Sequence, residues 1–406
     1  MSAPPQAGAG PIAPTRPSQR LLAPDLARGV MLLLIALAHS RQLHAGGNSL
    51  TTPAGGSTFD VAVQWLLTTF VDGRAAPLFG ILFGYGLVQM TRRYMGPEGD
   101  PKQARQLIRR RGVWLIVFGA AHVILLYSGD IIGAYGAFAV MFAGVISWST
   151  RRLWTVMAIT LVFGVAAAAL LQLVTPSNSP LAVGPTLFDS ALLRSSALAV
   201  LPIAAVSMAP SVLIGVLAAR MRLLEEPDRF RPLLRRFVLI GFPVSALGAQ
   251  PVALQALGLW TPGNPGIDAA ALALFAGTGI AGGLAFLALI ALVAYRLQDR
   301  RGLITTALVA CGRRSMTFYI AQSLVWVTFT EPSLLDLGGK LGAATAAGLA
   351  VVTWVITVVI AYALDRTGRR GPFEALLRHL TYRNSPRRQP AAPLNDARTS
   401  DLKRKS

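Results

Sequence analysis

Residues 24–40 read PDLARGVMLLLIALAHS, and the reading of this stretch decides the fold. With its flanks the apolar run is long enough to cross a bilayer, yet it carries Asp25 and Arg28 one helical turn apart and His39 about three turns further on. Ions are expensive in hydrocarbon, so residues of this kind face a bundle interior or a water-filled cavity. The stretch predicts a membrane protein whose intramembrane polar residues are the first place to look for function.

Composition agrees: 53% of the 406 residues are hydrophobic, 14% are charged, and the mean hydropathy is +0.53, which suits a chain whose solvent is largely lipid. The formal charge of +20 does not mark a nucleic-acid binder, because the basic residues gather in short runs between apolar segments. That pattern belongs to cytoplasmic loops at an anionic membrane surface. The single cysteine, Cys311, excludes an intrachain disulfide framework.

Apolar stretches with charged ends predict spans at 22–40, 72–91, 112–128, 131–149, 153–175, 196–219, 236–258, 267–294, 313–330 and 341–364. The fold class expected is therefore an all-α polytopic membrane protein of about ten transmembrane helices. As one helix, residues 59–91 would reach about 48 Å, longer than a bilayer of about 30 Å. The chain offers a break at Asp72-Gly73-Arg74, so 59–71 reads as an additional interfacial or re-entrant helix.

The runs RRYMGPEGDPKQARQLIRRR, STRR, RMRLLEEPDRFRPLLRR, YRLQDRRG and DRTGRRGPFEALLRHLTYRNSPRR alternate with loops poor in Lys and Arg. By the positive-inside rule both termini are cytoplasmic. Residues 1–20 lack a signal-peptide pattern and read as a disordered cytoplasmic tail, 21–383 as the integral bundle, and 384–406 as a disordered basic tail.

Arg109, Arg110 and Arg111 directly precede the third span. They read as a topology anchor or as a guanidinium cluster for a phosphorylated ligand. Downstream, His122 lies deep in that span and Asp130 in the tight Gly129-Asp130 connection. Their separation is about 12 Å along a continuous helix, so pairing requires the chain to turn. His122 is open to three readings: a packed structural histidine, a general base, or a ligand or gating group. His39 stands at the outer end of the first span and meets His122 only if the two helices are neighbours. His44 reads as a surface histidine. Two histidines without an acidic spacing motif predict no metal site.

Gly80, Gly84 and Gly86 in the second span read chiefly as close-packing residues. Asp72 and Arg74 are open to three readings: they pair with one another, rim an entrance, or are simply charges placed at the interface. At 311–323, CGRRSMTFYIAQS places Arg313 and Arg314 ahead of a span containing Ser315, Thr317, Tyr319 and Gln322. These read as helix cohesion, with Arg313, Tyr319 and Gln322 as the ligand-lining candidates. Ser315 has no neighbouring signature of an activated nucleophile. Residues 301–311 are expected along the inner membrane surface.

Asp25-Leu26-Ala27-Arg28-Gly29, the stretch Gly73 to Gly86, His122 through Tyr135, Gly312 through Ser323, and the closing Gly371-Pro372-Phe373-Glu374 and Leu380-Thr381-Tyr382 occur in an order that resembles the YeiB-like membrane proteins with a C-terminal DUF418 region. The resemblance covers roughly residues 20–383, with the DUF418-like region at about 220–383. This group is distantly similar to transmembrane acyltransferases, including the heparan-alpha-glucosaminide acetyltransferases, which take an acetyl group from cytoplasmic acetyl-CoA.

The resemblance implies a membrane acyltransferase of a bacterial inner or plasma membrane. Acetyl-CoA or another acyl-CoA would be the cosubstrate, with no tightly bound cofactor, and the acceptor would be a sugar or lipid-linked hydroxyl or amine. His122 and Asp130 carry the resemblance, which alone does not make them catalytic; on the enzyme reading His39 or His122 would serve as base, Asp25 or Asp130 would orient a positive partner, and Arg28 or Tyr319 would stabilise the developing oxyanion. Arg28, Arg109, Arg110, Arg111, Arg313, Tyr319 and Gln322 would bind the donor. Direct transfer is expected in preference to an acyl-serine. Membrane lipids are partners, nucleic acid is not, and a homodimer is left open. The alternatives are a secondary transporter of a small anion or lipid precursor and a non-enzymatic envelope-assembly protein.

Overall fold

The computed structural model describes residues 22–46, 50–51, 56–96, 99–174, 183–298 and 301–383. The tails expected at 1–20 and 384–406 lie outside the described residues. In chain order the α-helices are α1 (Leu22–His39), α2 (Arg41–His44), α3 (Thr58–Phe70), α4 (Ala75–Thr91), α5 (Pro101–Leu125), α6 (Ile132–Met141), α7 (Thr150–Val174), α8 (Leu187–Ser195), α9 (Leu201–Arg220), α10 (Arg231–Ala256), α11 (Pro265–Leu297), α12 (Leu303–Gly312), α13 (Ser315–Thr330), α14 (Ala343–Arg366) and α15 (Pro372–Tyr382). No strand occurs among the described residues. The protein is an all-α polytopic membrane protein.

Seven segments among the described residues are long and apolar enough to cross a membrane, and they contain α1, α3 with α4, the first part of α7, α8 with α9, α10, α11 and α14. The other three expected spans fall on α5, whose first half carries the basic run, on the short α6, and on the 16-residue α13. The break expected near residue 72 is present: α3 stops at Phe70, Gly73 takes φ +72°, and α4 begins at Ala75.

Several helices are inside-out relative to a protein in water. α3 exposes Phe59, Trp65, Leu66 and Phe70 while burying Gln64, Thr68 and Thr69. α8 exposes Leu187, Phe188, Leu192 and Leu193 around buried Ser190 and Arg194, and α14 exposes Val351, Val352, Val355, Ile356, Val359 and Ile360. Apolar residues pointing outward over polar ones pointing inward cost free energy in water and gain it in lipid.

The contacts that join the helices lie within one unit, Leu21–Thr381. Its main core runs through α1, α4, α11, α12 and α13, with Met31, Leu32, Leu78, Ile81 and Tyr85 almost wholly buried. Close approach replaces bulk where helices touch: a Cβ at Gly84 would fall 2.0 Å from the Val212 carbonyl oxygen, so this glycine is what lets α4 lie on α9. Gly80 also faces α9, and Gly86 faces the Arg28 guanidinium.

α12 packs on α1 and α14 without adding a span. The closing GPFE motif has a local physical role. Pro372 starts α15, and Glu374 accepts from the backbone amides of Met316 (2.7 Å) and Thr317 (3.1 Å), capping the otherwise unsatisfied start of α13.

Candidate functional site

One end of the bundle holds the starts of α1 and α13 and the end of α14. There Asp25, in the first turn of α1, accepts from Arg28 Nη1 (3.2 Å) and from Arg313 Nε (3.4 Å). Asp365, at the end of α14, lies 3.1 Å from Arg314 Nη1 and 3.7 Å from Arg313 Nη1. Three guanidiniums therefore share two carboxylates. The Arg28 and Arg313 side chains remain 29% and 23% exposed. A net positive, partly open cluster of this kind is suited to an anion.

At the same end a depression is lined by Thr91, Arg92, Ile146 and Arg220. Arg220 Nη2 donates to the Ile146 carbonyl (3.1 Å). Arg92 lies 2.7 Å from Glu225, whose hydrogen bond raises the arginine's pKa. Nothing in the sequence distinguishes Arg92 or Arg220 from the other loop arginines. Arg109 is exposed, and Arg110 and Arg111 are half-buried, on the first half of α5.

The second site is built where α5 ends. α5 stops at Leu125, the chain turns, and Asp130 comes back against the helix it has just left, so that His122 Nδ1 lies 3.0 Å from Asp130 Oδ1. Gly119, one turn before His122, makes the approach possible: a Cβ there would fall 2.2 Å from the Gly133 nitrogen and 2.6 Å from Asp130 Oδ2. Asp130 Oδ2 also accepts from the Gly133 amide at the start of α6. The carboxylate is thereby held from two directions.

On its other side His122 Nε2 lies 2.8 Å from Ser323 Oγ of α13. Ser323 Oγ is also 3.1 Å from the Tyr319 carbonyl, one helical turn back. Although 3.0 Å apart, His122 Nδ1 and Asp130 Oδ1 make no aligned hydrogen bond; a carboxylate that close still favours a proton on Nδ1, which would leave the Nε2 lone pair toward the hydroxyl. The His122 and Asp130 side chains are each 1% exposed, and Ser323 is 1% exposed. Chemically, the arrangement can accept a proton from a hydroxyl and stabilise the imidazolium that results.

Tyr319 joins this triplet to His39. Its ring centroid lies 4.9 Å from that of His122 and 6.4 Å from that of His39. His39 rests in turn on Tyr127, at 4.5 Å between centroids, and its Nδ1 is buried without a hydrogen-bond partner among the described residues. Tyr127 lies close to Gln42, Arg41 and Asp72. Thus His39 and His122 belong to one buried polar site.

Two buried ion pairs flank it. Arg41 pairs with Asp72 and donates to Thr68 Oγ1 (3.1 Å), while Arg74 donates to the Asp72 carbonyl and wraps Ser245 of α10. Asp72 and Arg74 therefore do not form the simple side-chain pair weighed from the sequence. Arg194 on α8 donates to Glu331 Oε1 (2.8 Å) and to the Leu126 carbonyl (3.1 Å), and Ser190 Oγ donates to Glu331 Oε2 (2.7 Å). This pair ties α8 to the α5 turn and to the end of α13.

The structure thus brings together His39, His122, Asp130 and Tyr319, and separates them from Asp25, which lies fourteen residues before His39, about 21 Å along α1. Gln322 points elsewhere on α13, donating to Thr357 Oγ1 (3.4 Å). His44 is a correction: it is buried, not superficial, because residues 339–341 pair with α2 through Gly339 N to the Gln42 carbonyl and Leu341 N to the Leu43 carbonyl. Ser323 escaped the sequence reading, since a serine in an apolar helix has no local signal until its partner, 201 residues away, is in place.

Residues 218–384 match the family described as "Protein of unknown function (DUF418)". The chain is also 25% identical over 405 residues to the uncharacterized protein YxaH of Bacillus subtilis (strain 168), a match that covers 91% of this chain and 96% of the relative.

Proposed function

We propose that this chain, whose matches fit the DUF418/YeiB-like family of membrane proteins, is an acyl-CoA-dependent membrane acyltransferase. The observation that carries the reading is the meeting of His39, His122, Asp130 and Tyr319 in one buried site, with Asp130 beside the nitrogen that sets the His122 tautomer. A base so oriented is what deprotonating an acceptor hydroxyl or amine requires.

The two ends of the bundle divide the work. Acetyl-CoA, or another acyl-CoA, approaches the cytoplasmic side, where Arg28 and Arg313 and the run Arg109 to Arg111 attract its phosphates. On α5, His122 lies twelve residues beyond Arg110, about 18 Å along the helix, a span suited to the extended pantetheine arm of coenzyme A. The acceptor, a sugar or lipid-linked hydroxyl or amine, enters from the opposite side near Tyr127. Tyr319 and His39 line the place where the two would meet, and the bacterial inner or plasma membrane is the expected location, with both termini cytoplasmic.

The test is acetyl-CoA consumption by protein in nanodiscs, with and without an acceptor panel. Acceptor-dependent consumption that is lost in His122→Gln and weakened when Arg109, Arg110 and Arg111 are neutralised supports the reading. Acyl-CoA-independent uptake of a small anion into sealed liposomes would replace it with transport.

A further inference from the structure

The geometry points to Ser323 as the nucleophile that first receives the acyl group, through the Asp130–His122–Ser323 arrangement. The inference rests on the acyl-transfer reading and changes its mechanism from direct transfer to two displacements. Ser323 Oγ lies 2.8 Å from His122 Nε2, and Asp130 Oδ1 lies 3.0 Å from His122 Nδ1. An orienting carboxylate, an imidazole and a hydroxyl in that order form the arrangement by which a serine is activated. The three residues come from the α5–α6 turn, α5 and α13, so no helical periodicity places them together.

The proton inventory favours the hydroxyl as donor. With Nδ1, the nitrogen 3.0 Å from Asp130, taken as the protonated one, Nε2 accepts, and the Ser323 hydroxyl is the group within reach to supply a proton. The Tyr319 carbonyl competes for the same proton at 3.1 Å, farther than the imidazole. In that tautomer the hydroxyl faces two acceptors with a single proton, unlike a serine bonded only to its own helix.

In the first displacement Ser323 Oγ attacks the thioester carbonyl as its proton passes to His122 Nε2. The carbon–sulfur bond breaks, and the coenzyme A sulfur leaves with the proton returned by His122. In the second, His122 takes the proton of the acceptor hydroxyl or amine, which attacks the serine ester. The carbon–oxygen bond to Ser323 breaks, Oγ regains the proton, and acylated acceptor leaves. Atoms, electrons and protons balance without a metal or redox partner. The Arg194–Glu331 pair, which pins the α5 turn to the end of α13, lies on the side from which the acceptor would enter.

The experiment treats the full chain in nanodiscs with acetyl-labelled acetyl-CoA in the absence of acceptor, and in parallel with a small fluorophosphonate, which needs an activated serine but no coenzyme A. The modified residue is mapped by peptide mass spectrometry. The expected result is an acetyl adduct on Ser323 that is discharged by hydroxylamine and by acceptor, and fluorophosphonate labelling at the same residue. Both are lost in Ser323→Ala and slowed about 10³-fold or more in Asp130→Asn, which preserves shape. Acceptor-dependent transfer that persists in Ser323→Ala, with no adduct in the wild type, overturns the serine intermediate and leaves acyl transfer standing. Fluorophosphonate labelling of Ser323 without any reaction with acyl-CoA supports the activated serine and overturns acyl-CoA as its donor. Folded protein that shows neither label nor transfer overturns both.

Discussion

Arg28 and Arg313 meet Asp25 with side chains 29% and 23% exposed, at 3.2 and 3.4 Å. His122 meets Asp130 at 3.0 Å with both side chains 1% exposed. The first cluster is partly open, since Arg28 and Arg313 reach water although Asp25 itself is buried, and it carries more guanidiniums than carboxylates, so those two arginines can take a ligand's anion as partner. The second is dry, and a polar group there cannot trade its partner for water. Recruitment suits the open cluster and proton chemistry the buried one. α13 joins them, beginning beside Arg313 and Arg314 and carrying Tyr319 and Ser323 inward.

Four substitutions would break or sharpen that contrast. Asp130→Asn should have the largest effect, lowering acyl transfer by about 10³-fold or more through loss of the productive His122 tautomer, with the melting temperature in detergent nearly unchanged. Equal loss of transfer in Asp25→Asn would erase the distinction between the ends. Glu331→Ala should cost about 3 to 5 kcal/mol of stability, because Arg194 is left charged and buried; thermal unfolding followed by tryptophan fluorescence measures it. A shift too small to detect would mean that the Arg194–Glu331 pair is already open to water.

Gly119→Ala should cost about 1 to 3 kcal/mol, since its methyl group would collide with Gly133 and Asp130. Transfer should fall with stability, and both assays on one preparation would show whether the α5–α6 approach sets the His122–Asp130 distance. Asp25→Asn should be mildest, with about 1 kcal/mol of stability lost, because Asp25 is buried but the Arg28 and Arg313 guanidiniums it would leave are part-exposed. Its effect should appear in acetyl-CoA titrations as altered affinity, with the maximal transfer rate kept.

Much of the fold was legible because its signals are local. Apolar runs ended by arginines mark the helices, and Asp72-Gly73-Arg74 marks a break that Gly73 makes with a positive φ. Asp25 and Arg28 were legible as a pair because three residues is one helical turn. The candidate site was legible in part. His122 and Asp130 drew notice as polar residues near one turn, but eight residues of separation did not predict their contact. Ser323 had no signal, and His44, beside two glycines in an apparent loop, was misread because its cover comes from residues 339–341.

The sequence by itself determined that lipid is the solvent, that the chain is helical, and where its basic loops lie, since hydropathy and charge act through each segment's own composition. Tertiary structure decided which buried polar groups meet. His122 finds Ser323 across 201 residues, and Arg194 finds Glu331 across 137. Such partners are chosen by how closely helices can approach, as at Gly119 against Gly133. A buried polar group must be satisfied by whatever that packing brings near, and no local pattern records the answer.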